Sequence, residues 1–316
     1  MRPAIVYVSA KVRFNKFQAF AADTLPTLHD GRARSALRSK HCPNIQKERR
    51  SMKVVLFCGG LGTRIREYSE NIPKPMVPVG QQPILGHIMQ YYSHYGHRDF
   101  VLCLGYKANV IKEYFLNSNR WTNSDCVISN FGEHVEALGE QPPDWQVALV
   151  DTGIWRNIGQ RLMAVRHLVE QEEIFLANYS DGLTDAPLPE MIERFARSDK
   201  IGCFIAVHPP FNFHLAEFNG DDDVCRFRSS QQSEVWINGG YFIFRKKIFD
   251  YIQDGEELVL EPFDRLIKGG HLMAYKYEGF WRAMDTLRDR QVLEEMVERG
   301  EMPWRLKPNG SACVKS

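Results

Sequence analysis

Long apolar runs are missing from this chain. No stretch approaches the roughly 18 residues that a membrane-spanning helix needs, and no membrane partner is expected. The N-terminus lacks a secretory apolar segment. Paired cysteines are missing too. The seven cysteines lie scattered at 41, 58, 103, 126, 203, 225 and 313, an odd number with no C-x-x-C. Neither a disulfide framework nor a zinc site follows, and most read as reduced, buried small hydrophobes. These absences together point to a cytoplasmic protein. Sixteen prolines and 23 glycines are too few for a low-complexity chain. With 44% hydrophobic and 25% charged residues, the composition is that of a globular protein with a sizeable core.

Excess charge of one sign is absent overall, since the net charge is +1. Its distribution is uneven, however. Residues 1–51 hold 11 Lys/Arg against 3 Asp/Glu, so the remainder must carry −7. An acidic body argues against nucleic acid as partner. The basic segment 1–51 reads as an appended extension, poorly ordered, with a targeting role as an alternative. Residues 52–306 form the catalytic domain in this reading, and 307–316 a tail.

From Met52 the pattern becomes regular. Apolar runs at 53–58, 100–104, 147–150, 174–179 and 202–207 predict buried strands. Helical periodicity predicts helices over 83–95, 109–115, 158–170 and 188–198. This alternation implies an α/β fold, a Rossmann-like, mostly parallel sheet with helices on both faces. After about residue 208 the texture changes to a small β-rich portion, with short strands near 215–218, 224–227, 240–244 and 272–277. Helices are predicted over 262–268 and 286–299.

Two segments carry phosphate chemistry. Gly59-Gly60-Leu61-Gly62-Thr63-Arg64 directly follows the first strand, where open α/β sheets place ligands. Its glycines let backbone N–H groups approach an anion, and Arg64 can fork onto phosphate oxygens. The spacing fits neither G-x-x-x-x-G-K-[ST] nor G-x-G-x-x-G, so a plain tight turn is the competing reading. In Pro73-Lys74-Pro75-Met76, two prolines stiffen the backbone around one lysine. That lysine is either a rigid phosphate contact or a solvated side chain. Asp181 and Asp285 each fall at a predicted strand end. Two carboxylates meeting there would suit Mg²⁺ bridging phosphates. Asp285 also precedes a helix and could simply cap it.

The G-G-x-G-T-R and K-P-M segments resemble the opening of the sugar-nucleotide pyrophosphorylase family. Ordered matches continue through Gly80–His87 (GQQPILGH), Leu149–Gly153 (LVDTG), Gly159–Leu162 (GQRL), Ile237–Gly240 (INGG) and Met284–Asp289 (MDTLRD). They run from Met52 to about Trp304, closest to the glucose-1-phosphate cytidylyltransferase branch. The resemblance implies a GT-A-like nucleotidyltransferase fold and a transfer from a nucleoside triphosphate, CTP favoured, to a sugar 1-phosphate. It implies Mg²⁺ held by Asp181 and Asp285, with Arg64, Lys74 and Asp181 catalytic. Phe57, Cys58, Gly59, Gly60, Leu61, Gly62, Thr63, Arg64, Lys74, Arg161 and Ser180 would surround the nucleotide. Asn238, Gly239 and Glu261 would face the sugar. A homo-oligomer is expected.

The likeness breaks at two places. The family's Phe-x-Glu-Lys-Pro, with its sugar and sugar-phosphate contacts, is replaced by Phe227-Arg228-Ser229-Ser230-Gln231. Arg226 or Arg228 is the natural substitute for the lost cation. Ser180 stands where a glycine is common. Trp145, Trp155, Trp236 and Trp281 are candidates for stacking but are more simply core residues, and His87 reads as structural. Asp221–Asp223 is an acidic run of the solvated kind. A glycosyltransferase or an inactive nucleotide-binding regulator would share the layout. The first usually needs a D-x-D motif, which Asp181-Gly182-Leu183 lacks.

Overall fold

A computed structural model describes residues 6–8, 51–62, 72–117, 126–130, 134–137, 144–210, 214–220, 222–229 and 235–306. Its centre is an eight-stranded sheet. The strand order is Val6–Val8, Gln146–Asp151, Asp99–Leu104, Lys53–Phe57, Ile174–Asn178, Ile237–Arg245, Gly202–Val207 and Leu272–Tyr277. The four strands from Gln146–Asp151 to Ile174–Asn178 pair in parallel. Ile237–Arg245 runs antiparallel to both its neighbours, and Gly202–Val207 pairs in parallel with Leu272–Tyr277. Of the N-terminal extension, Val6–Val8 lies antiparallel along the outer edge of the sheet.

The strands read as unbroken apolar runs because both faces are covered. Successive side chains alternate between faces. Val54 and Leu56 join a core shared with the helices Ile84–His94 and Leu188–Ala196. Val55 and Phe57 join a second core containing Leu162, Phe263 and Leu266, from Ile158–Ala164 and Glu261–Lys268. The Gly-rich loop leaves the carboxyl end of Lys53–Phe57, and Asp181 leaves the carboxyl end of the adjacent Ile174–Asn178. The two motifs are neighbours for that reason.

Some boundaries differ from the sequence reading. The helix expected over 158–170 is two pieces, Ile158–Ala164 and Arg166–Val169. The chain tightens at Val165, whose N–H bonds to the Leu162 carbonyl, a three-residue step that interrupts the α-helical ladder. The strand expected over 240–244 begins earlier, at Ile237, because Ile237 and Asn238 pair with Val207 and Ala206.

His87 clasps the C-terminal segment. Its Nδ1 accepts from Gln82 at 2.8 Å and from the Trp304 indole at 3.2 Å, while Nε2–H donates to the Val79 carbonyl at 2.9 Å. Burial pushes its pKa below the ordinary value, which the Val79 contact only partly offsets. A neutral His87 must take up a proton on acid unfolding. Stability is therefore fully present above about pH 6.5, the unfolded-state value, and is lost as pH falls through the lower folded value. Urea midpoints are expected to fall between pH 7.5 and pH 5. The fall should be smaller in His87→Gln, and an equal fall in both proteins would remove His87 as a cause.

Candidate active site

The Gly-rich loop is braced from behind by one arginine. Arg161 is only 2% exposed. Its Nη1 donates to the Leu104 carbonyl at 3.1 Å and to Thr152 Oγ1 at 2.7 Å. Its Nη2 donates to the carbonyls of Gly59 at 2.9 Å and Ile154 at 3.1 Å. One planar guanidinium thus ties together the loops after three parallel strands. Arg161, expected near the nucleotide, spends these donors on three backbone carbonyls and the Thr152 hydroxyl, and so positions the loop that would meet the nucleotide. Gly59 is glycine because of this arginine. A Cβ there would sit 1.9 Å from Arg161 Nη1. Gly60, by contrast, has open space above it.

Cys58 is fully buried, and its thiol donates to Ser180 Oγ at 3.4 Å. Burial pushes the Cys58 pKa up to about 12, so the thiol stays neutral and is no nucleophile. Ser180 itself adopts the left-handed conformation, with φ of 64°. That geometry explains why glycine suits the position. The strain is offset locally: the Ser180 N–H donates to Asn178 Oδ1 at 2.6 Å, an Asn-based turn. Ser180→Gly is expected to keep activity and to change stability by no more than about 1 kcal/mol, since strain relief opposes the lost Cys58 contact. A melt and a turnover assay check this.

The two aspartates meet. Asp181 leads into the short strand Gly182–Thr184, which pairs antiparallel with Trp281–Ala283. The pairing is extended by the Met284 N–H, which donates to the Asp181 carbonyl at 2.8 Å. This ribbon carries Asp181 and Asp285 to one point although they are far apart in sequence. There the Lys74 ammonium bonds Asp181 Oδ2 at 2.7 Å and Asp285 Oδ1 at 2.8 Å. Burial alone would lower the Lys74 pKa. The two carboxylates outweigh it and hold the ammonium above its ordinary value, so the lysine is charged. Helix capping does not explain Asp285. Thr286 is the N-cap of Leu287–Glu298, and Asp289 completes its capping box.

Phe57, Gly60, Gly62, Lys74, Asp181 and Asp285 line one cleft of about 310 Å³, together with Pro75, Ile158, Tyr179 and Ser180. Leu61 lies between two lining glycines and is half-buried. Thr63 and Arg64 lie outside the described residues, as do Ser230, Gln231 and Asp221. A larger cleft, about 680 Å³, opens at the opposite ends of the strands, before Ile174–Asn178, Gly202–Val207 and Leu272–Tyr277, lined by Glu173, Asp199, Arg245 and His271 among others. None of the motif residues reach it. Sequence reasoning missed Tyr179, Ile158 and Asn178. The Asn178-Tyr179-Ser180 spacing carries the signal of an Asn-based turn, which points to Asn178.

Asn238 and Gly239, expected at the sugar, do not line the cleft, although Asn238 Nδ2 donates at 3.3 Å to the hydroxyl of Tyr179, which does. Gly239 packs so closely that a Cβ would lie 2.7 Å from Ile205, and its carbonyl accepts from the Trp281 indole at 2.8 Å. Glu261, also expected to face the sugar, stands apart from the cleft. It is exposed at the first turn of Glu261–Lys268, where a negative charge suits the helix end. Glu257 is nearer, accepting from the Ile158 N–H at 3.4 Å, with its charge acting on Tyr179. Arg228 is committed to the hairpin His214–Phe218/Val224–Ser229, paired with Glu217 at 2.7 Å. Asp185 accepts from the Tyr277 hydroxyl and the Phe280 N–H. It therefore supplies no second acid of a D-x-D motif. Trp145 is a core residue, donating to Ser93, and Trp236 lies under Lys276. Trp155 is 85% exposed.

The donor set fits a hard divalent ion. Two carboxylates converge on one position, and that position already holds a cation, the Lys74 ammonium. The remaining coordination would fall to phosphate oxygens and water, as is usual for Mg²⁺.

A family model described as nucleotidyl transferase matches residues 53–286. The chain is 38% identical over 257 residues to glucose-1-phosphate cytidylyltransferase of Salmonella typhimurium, covering 80% of this chain and 99% of that protein. It is 35% identical over 258 residues to the probable glucose-1-phosphate cytidylyltransferase of Bacillus subtilis, covering 81% of this chain and 100% of that one. A crystal structure of a putative glucose-1-phosphate thymidylyltransferase from Bacillus anthracis superposes with a TM-score of 0.56 at 15% identity. That match covers 83% of this chain and 98% of the other, a likeness of fold.

Proposed function

The chain belongs to the nucleotidyl transferase family, as a sugar-1-phosphate nucleotidylyltransferase, and from that premise we propose that it joins CTP to α-D-glucose 1-phosphate with Mg²⁺ as cofactor. A phosphate oxygen of the sugar phosphate forms a bond to the α-phosphorus of CTP. The bond from that phosphorus to the bridging oxygen breaks, and diphosphate leaves with the electron pair. The products are CDP-glucose and diphosphate. Such a transfer needs positioning and charge neutralisation, not a protein nucleophile.

The observation that carries this reading is the meeting of Asp181, Asp285 and Lys74 beside the Gly-rich loop. Asp181 and Asp285 would hold Mg²⁺, which when bound neutralises phosphate charge and favours in-line displacement. Lys74 contributes a fixed positive charge to the same cleft. The loop at 59–62, held by Arg161, offers backbone N–H groups to phosphates. Tyr179, which lines the cleft with Asn238 bonded to its hydroxyl, would offer a polar group to the sugar, and the family's Glu-Lys pair is missing from the sequence.

A substrate panel tests the assignment. Purified protein with Mg²⁺, each nucleoside triphosphate in turn and several sugar 1-phosphates should release diphosphate fastest with CTP and glucose 1-phosphate. Faster release with another triphosphate would overturn the base assignment. No release with any pair would overturn the enzyme.

A further inference from the structure

We propose that Lys74 is a resident cation that keeps the paired aspartates closed to a free metal ion until a nucleotide offers its ammonium another anion. This rests on the reading of Asp181 and Asp285 as metal ligands. Lys74 Nζ makes short bonds to both carboxylates, 2.7 and 2.8 Å, so it stands between them where a divalent ion would have to sit. The lysine side chain is 15% exposed and the carboxylates 26% and 32%. Water therefore competes only partly for these charges, and the attraction is stronger than at an open surface. The lysine is also held in place. Pro73 and Pro75 flank it, Pro75 and Met76 are buried, and residues 74–76 form a single tight helical turn. The backbone is thus fixed, and the ammonium is held by its two carboxylate partners.

A metal ion arriving alone meets this ammonium as a like charge. It must also strip Lys74 of two partners without supplying a replacement. A triphosphate changes both terms. It brings negative charge into the cleft that Lys74 itself lines, so the ammonium can exchange carboxylate for phosphate as the metal takes the aspartates. Metal and nucleotide then enter as a pair, and the protein without nucleotide holds little metal.

The test is Mn²⁺ binding without nucleotide, followed by the electron paramagnetic resonance signal of the free ion. Wild-type protein should bind weakly. Lys74→Met, which keeps length and removes charge, should bind about tenfold tighter or more. Lys74→Gln is the second variant if Met does not fold, with circular dichroism confirming the fold. Adding Asp181→Asn to either should abolish the gain. Equal affinity in wild type and the folded Lys74 variants would overturn the resident-cation proposal and leave the metal ligands standing. Failure of every protein to retain Mn²⁺, even with CTP, would overturn the metal reading itself and this proposal with it.

Discussion

Asp285→Asn will reduce turnover by about a thousandfold or more, a loss on the scale of removing a preorganised charge from a phosphoryl-transfer site, while leaving the protein folded. The second half of this prediction comes from the local structure. The helix Leu287–Glu298 starts on Thr286 and Asp289, which bond each other reciprocally, so its N-terminus does not depend on Asp285. Asn is isosteric with Asp, and it can still accept a hydrogen bond from Lys74. What it removes is one of the two negative charges at the point where the ribbon 182–184/281–283 delivers them. Turnover with CTP and glucose 1-phosphate, measured beside a thermal melt, separates the two effects. A folded variant with full activity would withdraw the metal assignment, and a variant that fails to fold would give Asp285 the structural role that Thr286 is assigned here.

The other large effect lies behind the loop. Arg161→Met is expected to destabilise the protein by about 3–5 kcal/mol, because it removes four charge-assisted hydrogen bonds made by a buried guanidinium. Acceptors at Leu104, Thr152, Gly59 and Ile154 each lose one bond, while the Leu104 and Gly59 carbonyls keep the N–H groups of Thr152 and Tyr106. Gly59→Ala attacks the same contact from the opposite side. The new methyl would collide with a guanidinium that cannot swing away, since all its bonds point to backbone or Thr152. Both variants should raise KM for CTP more than for glucose 1-phosphate, because the loop they loosen is the one proposed to hold the nucleotide phosphates. Urea denaturation and substrate titrations measure the two consequences. An Arg161→Met protein as stable as wild type would show that the loop holds itself.

Much of this was legible in the residues, for identifiable reasons. Buried strands such as Lys53–Phe57 and Gly202–Val207 announce themselves as apolar runs bounded by turn residues, and the parallel sheet follows from their alternation with helices. The Gly-rich loop and Asp181 fall at carboxyl strand ends, where such sheets gather ligands. The meeting of Asp181 with Asp285 depends on the three-residue ribbon 182–184/281–283, and a pairing that short leaves no pattern in sequence. Lys74 reads as a stiffened cation, but only the folded chain shows that both carboxylates hold it. Arg161 was expected near the nucleotide, and its bonds to the loop carbonyls were not legible in the sequence. A charged residue at helical spacing gives no sign that it points inward to backbone carbonyls. The placement of Glu261 apart from the cleft was equally hidden. Pro262 sets a helix start there, and the first turn directs the carboxylate to solvent, while Glu257 lies toward Tyr179.

Soaking crystals with Mn²⁺ and a non-hydrolysable CTP analogue, and recording anomalous diffraction, examines the shared clamp at its centre. One manganese peak coordinated by both Asp181 and Asp285, with the Lys74 ammonium moved onto a phosphate, is the expected result. A peak bound elsewhere, with Lys74 still seated between the two carboxylates, would contradict the account.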